Sequence, residues 1–324
     1  MSTLDRIKTP IAKEMAEFES YFKKSMRSKV PLLDIIMNYI LRRKGKQMRP
    51  IYVFLSAKLL GAITKSTFHA AGLIELLHTA TLVHDDVVDE SYQRRGFFSI
   101  NALWKNKISV LVGDYLLSRG LLLAVDNNEF EILKIVSEAV KEMAEGELLQ
   151  IEKARNINTN EEIYFDIIRK KTATLLASCA AAGAKSAGGT DEQVELMRQF
   201  GENIGIAFQI KDDLFDYQAL NATGKPSGND IQEKKMTLPL IFALNNANPS
   251  AKRQMKRAIS KNRGNTDSIK TIVDFVHQKG GIDYATEKMK FFRDQSLEIL
   301  SRFEDNEARR SLTDLVNYTI DRTK

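Results

Sequence analysis

The chain of 324 residues is poor in cysteine, tryptophan and proline, with one, one and six of each. A single cysteine, Cys179, cannot form an intramolecular disulfide, which argues against a stapled secreted scaffold and favours a reducing, cytoplasmic setting. The first ten residues, MSTLDRIKTP, lack the apolar core of a secretory signal. No uncharged run reaches the roughly 20 residues that cross a bilayer, so a membrane-spanning protein is not expected.

The charge balance is modest, with 48 basic against 42 acidic residues and a formal net charge of +6. Such an excess is compatible with anionic ligands, with anionic lipid surfaces or with neither. The sequence has no basic block with interleaved aromatic residues, and one cysteine cannot build a zinc finger. Nucleic acid is therefore not an expected partner.

Proline is absent from the long stretch between Ile51 and Lys225, which permits uninterrupted helices over half of the chain. Apolar residues recur at three- and four-residue intervals, as in the segments 73–83, 132–143 and 163–168. No linker rich in Pro, Gly or Ser divides the chain. The sequence predicts one all-α domain, residues 1–324, with ten or more helices.

The sequence repeats one acidic pattern, HDDVVDE at 84–90 and KDDLFDY at 211–217. On a helix, the three aspartates of each pattern form one compact patch of carboxylate. The first patch follows an apolar helical run, so it lies toward a helix C-terminus, where the macrodipole and mutual repulsion disfavour anions. A bound Mg²⁺ reverses both penalties. The alternative is that each patch is a solvated acidic helix end.

Basic residues recur close to both acidic patterns, in GKQMRP at 45–50, RRG at 94–96, KKT at 170–172, GKP at 224–226 and KK at 234–235. Pro50 favours extended backbone at Arg49, where the chain enters a helix. Cations beside carboxylates indicate a diphosphate that metal ions bridge to the acids. Each cation taken singly is more often a solvated surface charge.

Taken together, these motifs resemble the trans-prenyltransferases, or polyprenyl diphosphate synthases, over nearly the whole chain. The matching runs are GKQMRP, HTATLVHDDVVDESYQRRG, LVGDYLL, AEGELLQ, the KT at 171, FQIKDDLFDY and GKPSGNDIQEKKMTLPLI. Two of them, 78–96 and AEGELLQ, most resemble the octaprenyl diphosphate synthases of bacteria. The resemblance implies a single large helical bundle around a central cavity, the isoprenoid synthase fold, and a homodimer.

The resemblance also implies a role for each matched residue. The metal ligands, for about three Mg²⁺ ions, are Asp85, Asp86, Asp89, Asp212, Asp213 and Asp216. The allylic diphosphate contacts are Arg94, Lys171, Lys225 and Lys235, and the isopentenyl diphosphate contacts are Lys46, Arg49, His78 and Arg95. The catalytic set consists of Asp85, Asp86, Asp89, Lys171, Thr172, Gln209, Asp212 and Asp213.

The implied reaction needs no protein nucleophile or general base. Metal ions and cations neutralise the diphosphate as the allylic carbon–oxygen bond breaks, and the isopentenyl double bond attacks the allyl cation. The released diphosphate is the expected base for the final proton loss. The chain accordingly shows no Ser-His-Asp or Cys-His pattern, and His84 is expected to be a partner of a carboxylate.

Product length is expected to depend on the residues that precede Asp85 on its helix, namely Thr81, Ala80, Leu77 and Ile74. In the family, a large aromatic residue at the two nearest positions stops elongation early, and here both are small. The segment with Val136, Val140 and Met143 is a candidate floor, although an ordinary core stripe has the same pattern. The hypothesis is a product of about thirty-five to forty carbons, used for quinone side chains.

Several alternatives stay open at this point. The chain could make a shorter geranylgeranyl or farnesyl product, or act as a non-catalytic subunit of a heteromeric synthase. A terpene cyclase or head-to-head synthase would share the fold and the first acidic motif. The apolar product makes transient contact with a membrane conceivable during its release.

The substitution Ala80→Phe tests the expected chain-length role. The aromatic ring would occupy space that the growing chain needs, so the product should become shorter by at least about one five-carbon unit. Chromatography of the dephosphorylated products measures this change. An unchanged product length with retained activity would contradict the role of Ala80.

Overall fold

The computed structural model describes residues 2–42, 45–94, 96–154, 159–217, 229–233, 235–261 and 266–321. The all-α prediction is confirmed. Within these residues the chain forms sixteen α-helices, one 3₁₀ turn, one π-helical turn and one short antiparallel hairpin.

The helices in chain order are α1 (Thr3–Lys8), α2 (Ala12–Ser25), α3 (Pro31–Leu41), α4 (Met48–Leu60), α5 (Lys65–Val88), α6 (Ile100–Asp126), α7 (Phe130–Ala154), α8 (Glu161–Ile168), α9 (Thr174–Ser186), α10 (Asp191–Phe215), α11 (Asn229–Gln232), α12 (Leu238–Asn245), α13 (Pro249–Lys261), α14 (Thr266–Gln278), α15 (Gly281–Ser301) and α16 (Glu307–Asp321). The 3₁₀ turn is Thr9–Ile11 and the π-helical turn is Arg169–Ala173. Strands β1 (Gln93–Arg94) and β2 (Phe97–Phe98) pair antiparallel.

The chain groups into two compact units. Unit 1 comprises residues 1–140, 178–198 and 301–315, and unit 2 comprises residues 141–177, 199–300 and 316–324. The sequence-based expectation of a single domain stays a prediction.

Unit 1 is organised around α5, which packs along α6 more extensively than along any other helix. Gly120 of α6 permits this closeness, since a Cβ there would lie 3.2 Å from Leu77 and 3.3 Å from Leu73. Helices α2, α4 and α5 meet through aromatic rings, with Phe54 edge-on to Phe18 and Phe68 at centroid distances of 5.6 and 5.0 Å. The buried face of α5 thus fixes the helix whose end carries the first aspartate cluster.

Unit 2 has an apolar core between α12, α13 and α14, which includes Leu240, Ile259 and Ile272. Tyr284 of α15 connects this region to α8, because its ring stacks on Phe242 at 4.1 Å and its hydroxyl donates to Glu161 at 2.6 Å. These contacts hold the amino-terminal end of α8 in a defined position.

The expected extended backbone at Arg49 is wrong, because Arg49 is the second residue of α4 and Pro50 is the third. Proline is tolerated there since the N–H groups of the first helical turn have no intrahelical acceptor. The turn instead occurs at Gln47, whose φ of 52° is left-handed.

Among the residues that the structure describes, one helix, α6, is long and apolar enough to cross a membrane by length and composition, and about a third of its most apolar part is buried. Counting uncharged runs missed this helix because Lys105, Lys107, Asp114 and Arg119 interrupt it. One side of α6, with Val112 and Leu116, is buried in unit 1. The opposite side is exposed and largely apolar, with Asp114 and Ser118 as its exposed polar residues between Leu111 and Leu121.

Candidate active site

The first aspartate cluster lies at the C-terminal end of α5, as the sequence predicts. Asp85 and Asp86 are in the last helical turn, and Asp89 is the C-cap residue. Asp86 is only 4% exposed, Asp85 is half-buried and Asp89 is exposed. The backbone N–H of Ser91 donates to the Asp86 carbonyl at 3.0 Å, which closes the helix end.

His84 has a carboxylate partner, but that partner belongs to α6 rather than to the cluster. The His84 Nε2 lies 3.5 Å from Asp114 Oδ1 and 3.3 Å from the Val110 carbonyl. Gly113 makes room for the ring, since a Cβ at this position would lie 2.1 Å from His84 Nε2. His84 therefore ties the end of α5 to α6.

An apolar cleft borders Asp86 within unit 1. A role was assigned from the sequence to Asp86 but to none of the other residues of this cleft. It is lined by Tyr39, Ile40, Thr79, Leu82, Val83, Asp86, Phe97, Phe98, Ser99 and Ile100. The Tyr39 hydroxyl donates to the Phe98 carbonyl at 2.6 Å, which links α3 to the hairpin. This hairpin, formed by β1 and β2, comes shortly after the first aspartate cluster in the chain.

The second aspartate cluster belongs to a cavity within unit 2. Asp212 and Asp213 occupy the last turn of α10, and Asp216 follows its end. The cavity is lined by Gln150, Lys153, Thr159, Tyr164, Ile167, Ile168, Lys171, Thr172, Gln209, Asp213, Asp230, Lys235, Met236 and Thr237. It therefore brings together five residues that the sequence assigned to the site, which are Lys171, Thr172, Gln209, Asp213 and Lys235.

Asp213 is the most constrained carboxylate of this cavity, with 4% of its surface exposed. The Tyr164 hydroxyl donates to Asp213 Oδ2 at 2.7 Å, and Gln209 Nε2 donates to Oδ1 at 2.9 Å. Thr172 Oγ1 in turn donates to Gln209 Oε1 at 3.0 Å. Sequence reasoning missed Tyr164, because its partner is 49 residues away and no local pattern reports that contact.

The electrostatics of Asp213 are dominated by burial. The pKa of Asp213 is raised from 3.8 to about 7, mainly by desolvation and also by the nearby charges of Asp230 and Asp212. The hydrogen bonds from Tyr164 and Gln209 lower the pKa and only partly offset this rise. Burial likewise raises the pKa of Tyr164 well above its usual value, so Tyr164 is a hydrogen-bond donor at neutral pH.

Lys171 and Thr172 lie on the π-helical turn between α8 and α9. Two glycines let neighbouring helices approach this turn closely. A Cβ at Gly146 of α7 would lie 2.7 Å from the Lys171 nitrogen, and a Cβ at Gly205 of α10 would lie 2.5 Å from the Ala173 Cα. Single π-helical turns are frequent at functional sites, since the extra residue re-aims side chains. Gly146 belongs to the AEGELLQ motif. The motif has glycine at this position because a side chain there would collide with the backbone of Lys171.

The two lysines of the cavity are paired with acids. Lys171 Nζ contacts Glu147 and donates to Gln150 Oε1 at 3.3 Å. Lys235 Nζ lies 2.7 Å from Glu233 and 3.2 Å from Asp230. Burial lowers the pKa of Lys235, but these acids outweigh it and the pKa is raised, so the ammonium stays charged.

Asp216 is held by the backbone of α11, because the N–H of Asp230 donates to Asp216 Oδ2 at 2.8 Å. Asp230 also lines the cavity, and its carboxylate contacts Lys235. It was not assigned a role from the sequence.

Some of the other residues predicted to contact the two diphosphates are described by the structure, and some are not. Lys46 is exposed in the loop before α4, Arg49 is half-buried in the first turn of α4, and His78 is buried on α5. The side chain of Arg94, and all of Arg95 and Lys225, lie outside the described residues.

The proposed chain-length residues of α5 are buried, with Ala80, Leu77 and Ile74 at 2%, 3% and 0% exposure. Thr81 is half-buried and donates to the His78 carbonyl at 2.8 Å. The main neighbour of α5 in unit 1 is α6, whereas the candidate floor was placed on α7. Of that floor, Val136 is buried in unit 1 and Met143 is half-buried in unit 2, so its role stays a prediction.

Cys179 is the small buried hydrophobe that its alanine-rich surroundings predict. It is fully buried on α9, and burial raises the pKa of its thiol to about 12. A thiol of this kind stays protonated at neutral pH and is not a nucleophile.

Among the described residues, no group of three or more acidic, histidine or cysteine side chains is gathered as a ready metal site. Mg²⁺ typically uses one or two carboxylates and completes its shell with water and substrate phosphates. The donor set at each cluster fits that mode of binding. Residues held by hydrogen bonds, such as Asp213, are already oriented for it.

Comparison with known proteins matches residues 30–276 to the polyprenyl synthetase family. The all-trans-nonaprenyl-diphosphate synthase (geranyl-diphosphate specific) of Rhodobacter capsulatus is 37% identical over 98% of this chain and 97% of its own. The octaprenyl diphosphate synthase of Escherichia coli is 33% identical over 99% of both chains.

Solved structures give the same result for the fold. A decaprenyl diphosphate synthase from Rhodobacter capsulatus has a TM-score of 0.93 at 35% identity, covering 99% of both chains. A geranylgeranyl pyrophosphate synthase from Bacteroides thetaiotaomicron has a TM-score of 0.84 at 41% identity, covering 99% of this chain and 100% of its own. The chain has the all-α fold of the isoprenoid synthases.

Replacing Asp213 by Asn tests the burial of this carboxylate. With a folded pKa of about 7 and an unfolded pKa near 3.8, the folded protein binds more protons between these values. The carboxylate therefore destabilises the metal-free protein progressively as pH rises from about 4 to 7. Asp213→Asn should stabilise the metal-free protein by about 1–2 kcal/mol at pH 8 and by little at pH 4–5.

Chemical unfolding in EDTA at the two pH values measures this difference. Asp267→Asn is the matched control, because Asp267 is exposed in the first turn of α14. Equal effects of Asp213→Asn at both pH values would contradict the burial argument.

Proposed function

Because the chain belongs to the polyprenyl synthetase family and is a prenyltransferase, we propose that it is a long-chain trans-polyprenyl diphosphate synthase. It condenses isopentenyl diphosphate units onto an allylic diphosphate of the farnesyl type, through ionisation, condensation and proton loss. The product has about thirty-five to forty carbons and is used for quinone side chains, and the enzyme itself acts in the cytoplasm. The octaprenyl relative is named for a product of eight five-carbon units, which supports this length, and the nonaprenyl relative for one of nine units, which supports the long-chain class.

One observation carries the proposal. Five residues that the sequence assigned to diphosphate and carbocation chemistry, from three separate segments, line a single cavity in unit 2. They combine a buried carboxylate, Asp213, with two lysines and with the uncharged pair Thr172 and Gln209. Carboxylates for metal, cations for phosphate and neutral dipoles for a carbocation are the components that diphosphate ionisation needs.

The chain's own residues have distinct tasks in this proposal. Lys171 and Lys235 hold the diphosphate by charge-assisted hydrogen bonds. Tyr164 and Gln209 fix the orientation of Asp213, and the aspartates of both clusters bind Mg²⁺. When bound, Mg²⁺ neutralises the charge that develops on the diphosphate as the carbon–oxygen bond breaks. Gln209 and Thr172 supply the neutral dipoles that face the allyl cation in this proposal.

A shorter product is the second candidate, and one observation favours it. The structural relative with the highest sequence identity among those compared above is described as a geranylgeranyl pyrophosphate synthase. Against it, Ala80 and Thr81 are small, which leaves the region before Asp85 open to a longer chain.

We also propose a homodimer that buries the exposed face of α6. Five apolar residues on this face are between 40% and 55% exposed, namely Val110, Leu111, Leu121, Leu122 and Val125. They form a largely apolar stripe that the exposed Asp114 and Ser118 interrupt, and clustered apolar exposure of this kind is typical of an interaction surface. A two-fold interface pairs the same stripe from each subunit, so each contact occurs twice.

The reaction is tested by incubating the purified protein with farnesyl diphosphate, labelled isopentenyl diphosphate and Mg²⁺. The expected product is a long polyprenyl diphosphate, and EDTA should abolish its formation. Asp85→Ala and Asp212→Ala should each lower kcat by about a hundredfold or more, as for other groups that stabilise developing charge. Asp191→Ala, at a fully exposed position on α10, should leave kcat unchanged.

A product of twenty carbons or fewer would contradict the proposed length and support the shorter-chain synthase. A cyclised hydrocarbon from the allylic substrate alone would support a terpene cyclase. No incorporation would support a non-catalytic subunit.

The dimer is tested by Leu122→Arg, which places two like charges in a two-fold interface. The dimer should dissociate at concentrations at least about a hundredfold higher than for the wild type. Sedimentation or light scattering measures the mass. Phe291→Arg, at an exposed apolar position of α15, is the control. A dimer that is unaffected by Leu122→Arg would place the interface elsewhere.

A further inference from the structure

The basic excess of the chain is concentrated in one helix of unit 2. No Asp or Glu occurs between Lys234 and Thr266, and this stretch contains eight Lys and Arg residues. Five of the eight belong to α13, with the sequence PSAKRQMKRAISK. The formal net charge of the whole chain is only +6. The charge is therefore distributed unevenly, with α13 as its main concentration.

The packing of α13 directs this charge outward. Met255 and Ile259 are buried, at 7% and 1% exposure, in the apolar core of unit 2. Arg253 and Arg257 are exposed on the opposite side. Because its apolar face is already used for the core, α13 cannot insert that face into another phase, and only its charged face is available for an external partner.

Within the part of the chain that the structure describes, Lys252 and Arg253 of α13 each donate a hydrogen bond to an uncharged group. Lys252 Nζ donates to Asn245 Oδ1 at 3.3 Å, and Arg253 Nε donates to the Pro249 carbonyl at 3.3 Å. Both acceptors are neutral oxygens. Ser250, Arg253, Gln254 and Arg257 line a surface groove together, and two of these four side chains are cationic. Such a groove fits small anionic groups.

The composition of α13 favours an anionic membrane surface over nucleic acid as its partner. The helix has no aromatic residue, and stacking of bases on aromatic rings is a main source of affinity for single-stranded nucleic acid. A membrane surface instead needs only a group of cations near its anionic head groups. The product of the proposed reaction is apolar and must pass from the protein into a lipid phase.

We propose that α13 is the surface by which this protein binds anionic lipid head groups, an inference that rests on the proposed function for its biological purpose. Binding is electrostatic and reversible, since α13 contributes cations and no apolar side chain. It brings unit 2, with its carboxylate cavity, to the lipid phase that accepts the product. Each cation near an anionic surface strengthens binding by about fivefold, from about 1 kcal/mol per residue.

The test measures binding to vesicles of phosphatidylcholine that contain about one third phosphatidylglycerol, by flotation in about 0.05 M and about 0.5 M salt. The wild-type protein should bind at low salt and be released at high salt. The variant Arg253→Glu/Arg257→Glu should bind at least about twenty-fivefold more weakly, from two lost cations. Its fold is checked by the thermal unfolding midpoint.

The matched control is Lys23→Glu/Lys24→Glu, which makes the same change in net charge at exposed positions of α2 in unit 1. This control should bind vesicles like the wild type. Both double variants should retain synthase activity in detergent solution, which separates the lipid surface from the reaction. If neither the variants nor the wild type shows activity, the proposed function fails while vesicle binding is still measured.

Three results would overturn the proposal. Equal loss in both double variants would show that net charge, and not α13, governs binding. Equal binding to vesicles of phosphatidylcholine alone would show an apolar mode of attachment. A variant of α13 that binds vesicles normally but has a raised KM for isopentenyl diphosphate would show that the helix steers soluble substrate instead.

Discussion

The burial of a carboxylate at the end of α10 is the constraint on which the candidate site depends. An ionised group is costly to remove from water unless hydrogen bonds or counter-charges replace its hydration. Asp213 receives two such hydrogen bonds, from Tyr164 and Gln209, yet its pKa is still raised to about 7. A bound cation would offset the remaining cost, which is consistent with the metal-ligand role proposed for Asp213.

Close helix packing positions two further residues of the same cavity, Lys171 and Thr172. Gly146 and Gly205 bring the backbones of α7 and α10 against the π-helical turn, at distances that a larger residue would not permit. The turn then presents Lys171 and Thr172 toward the cavity. A substitution at either glycine would therefore act on the site through the backbone, without touching a ligand.

The exposed sides of α6 and α13 differ in chemistry, so they suit contacts of different kinds. The exposed side of α6 is apolar, which suits a lasting interface driven by burial of apolar area. The exposed side of α13 is basic, which suits a reversible contact that salt weakens. The proposed homodimer uses the first of these surfaces, and the proposed lipid contact uses the second.

The sequence by itself determined the helical class, the two aspartate clusters and the set of cations, because periodicity, proline distribution and charged motifs are local properties. It also determined the family, since the motifs come in a specific order. The tertiary structure decided which of these residues share a cavity, and it added Tyr164 and Asp230. It also placed Arg49 inside a helix and gave α5 its main neighbour in α6. These facts depend on contacts between residues far apart in the chain, as between Tyr164 and Asp213, and on packing distances that no local pattern encodes.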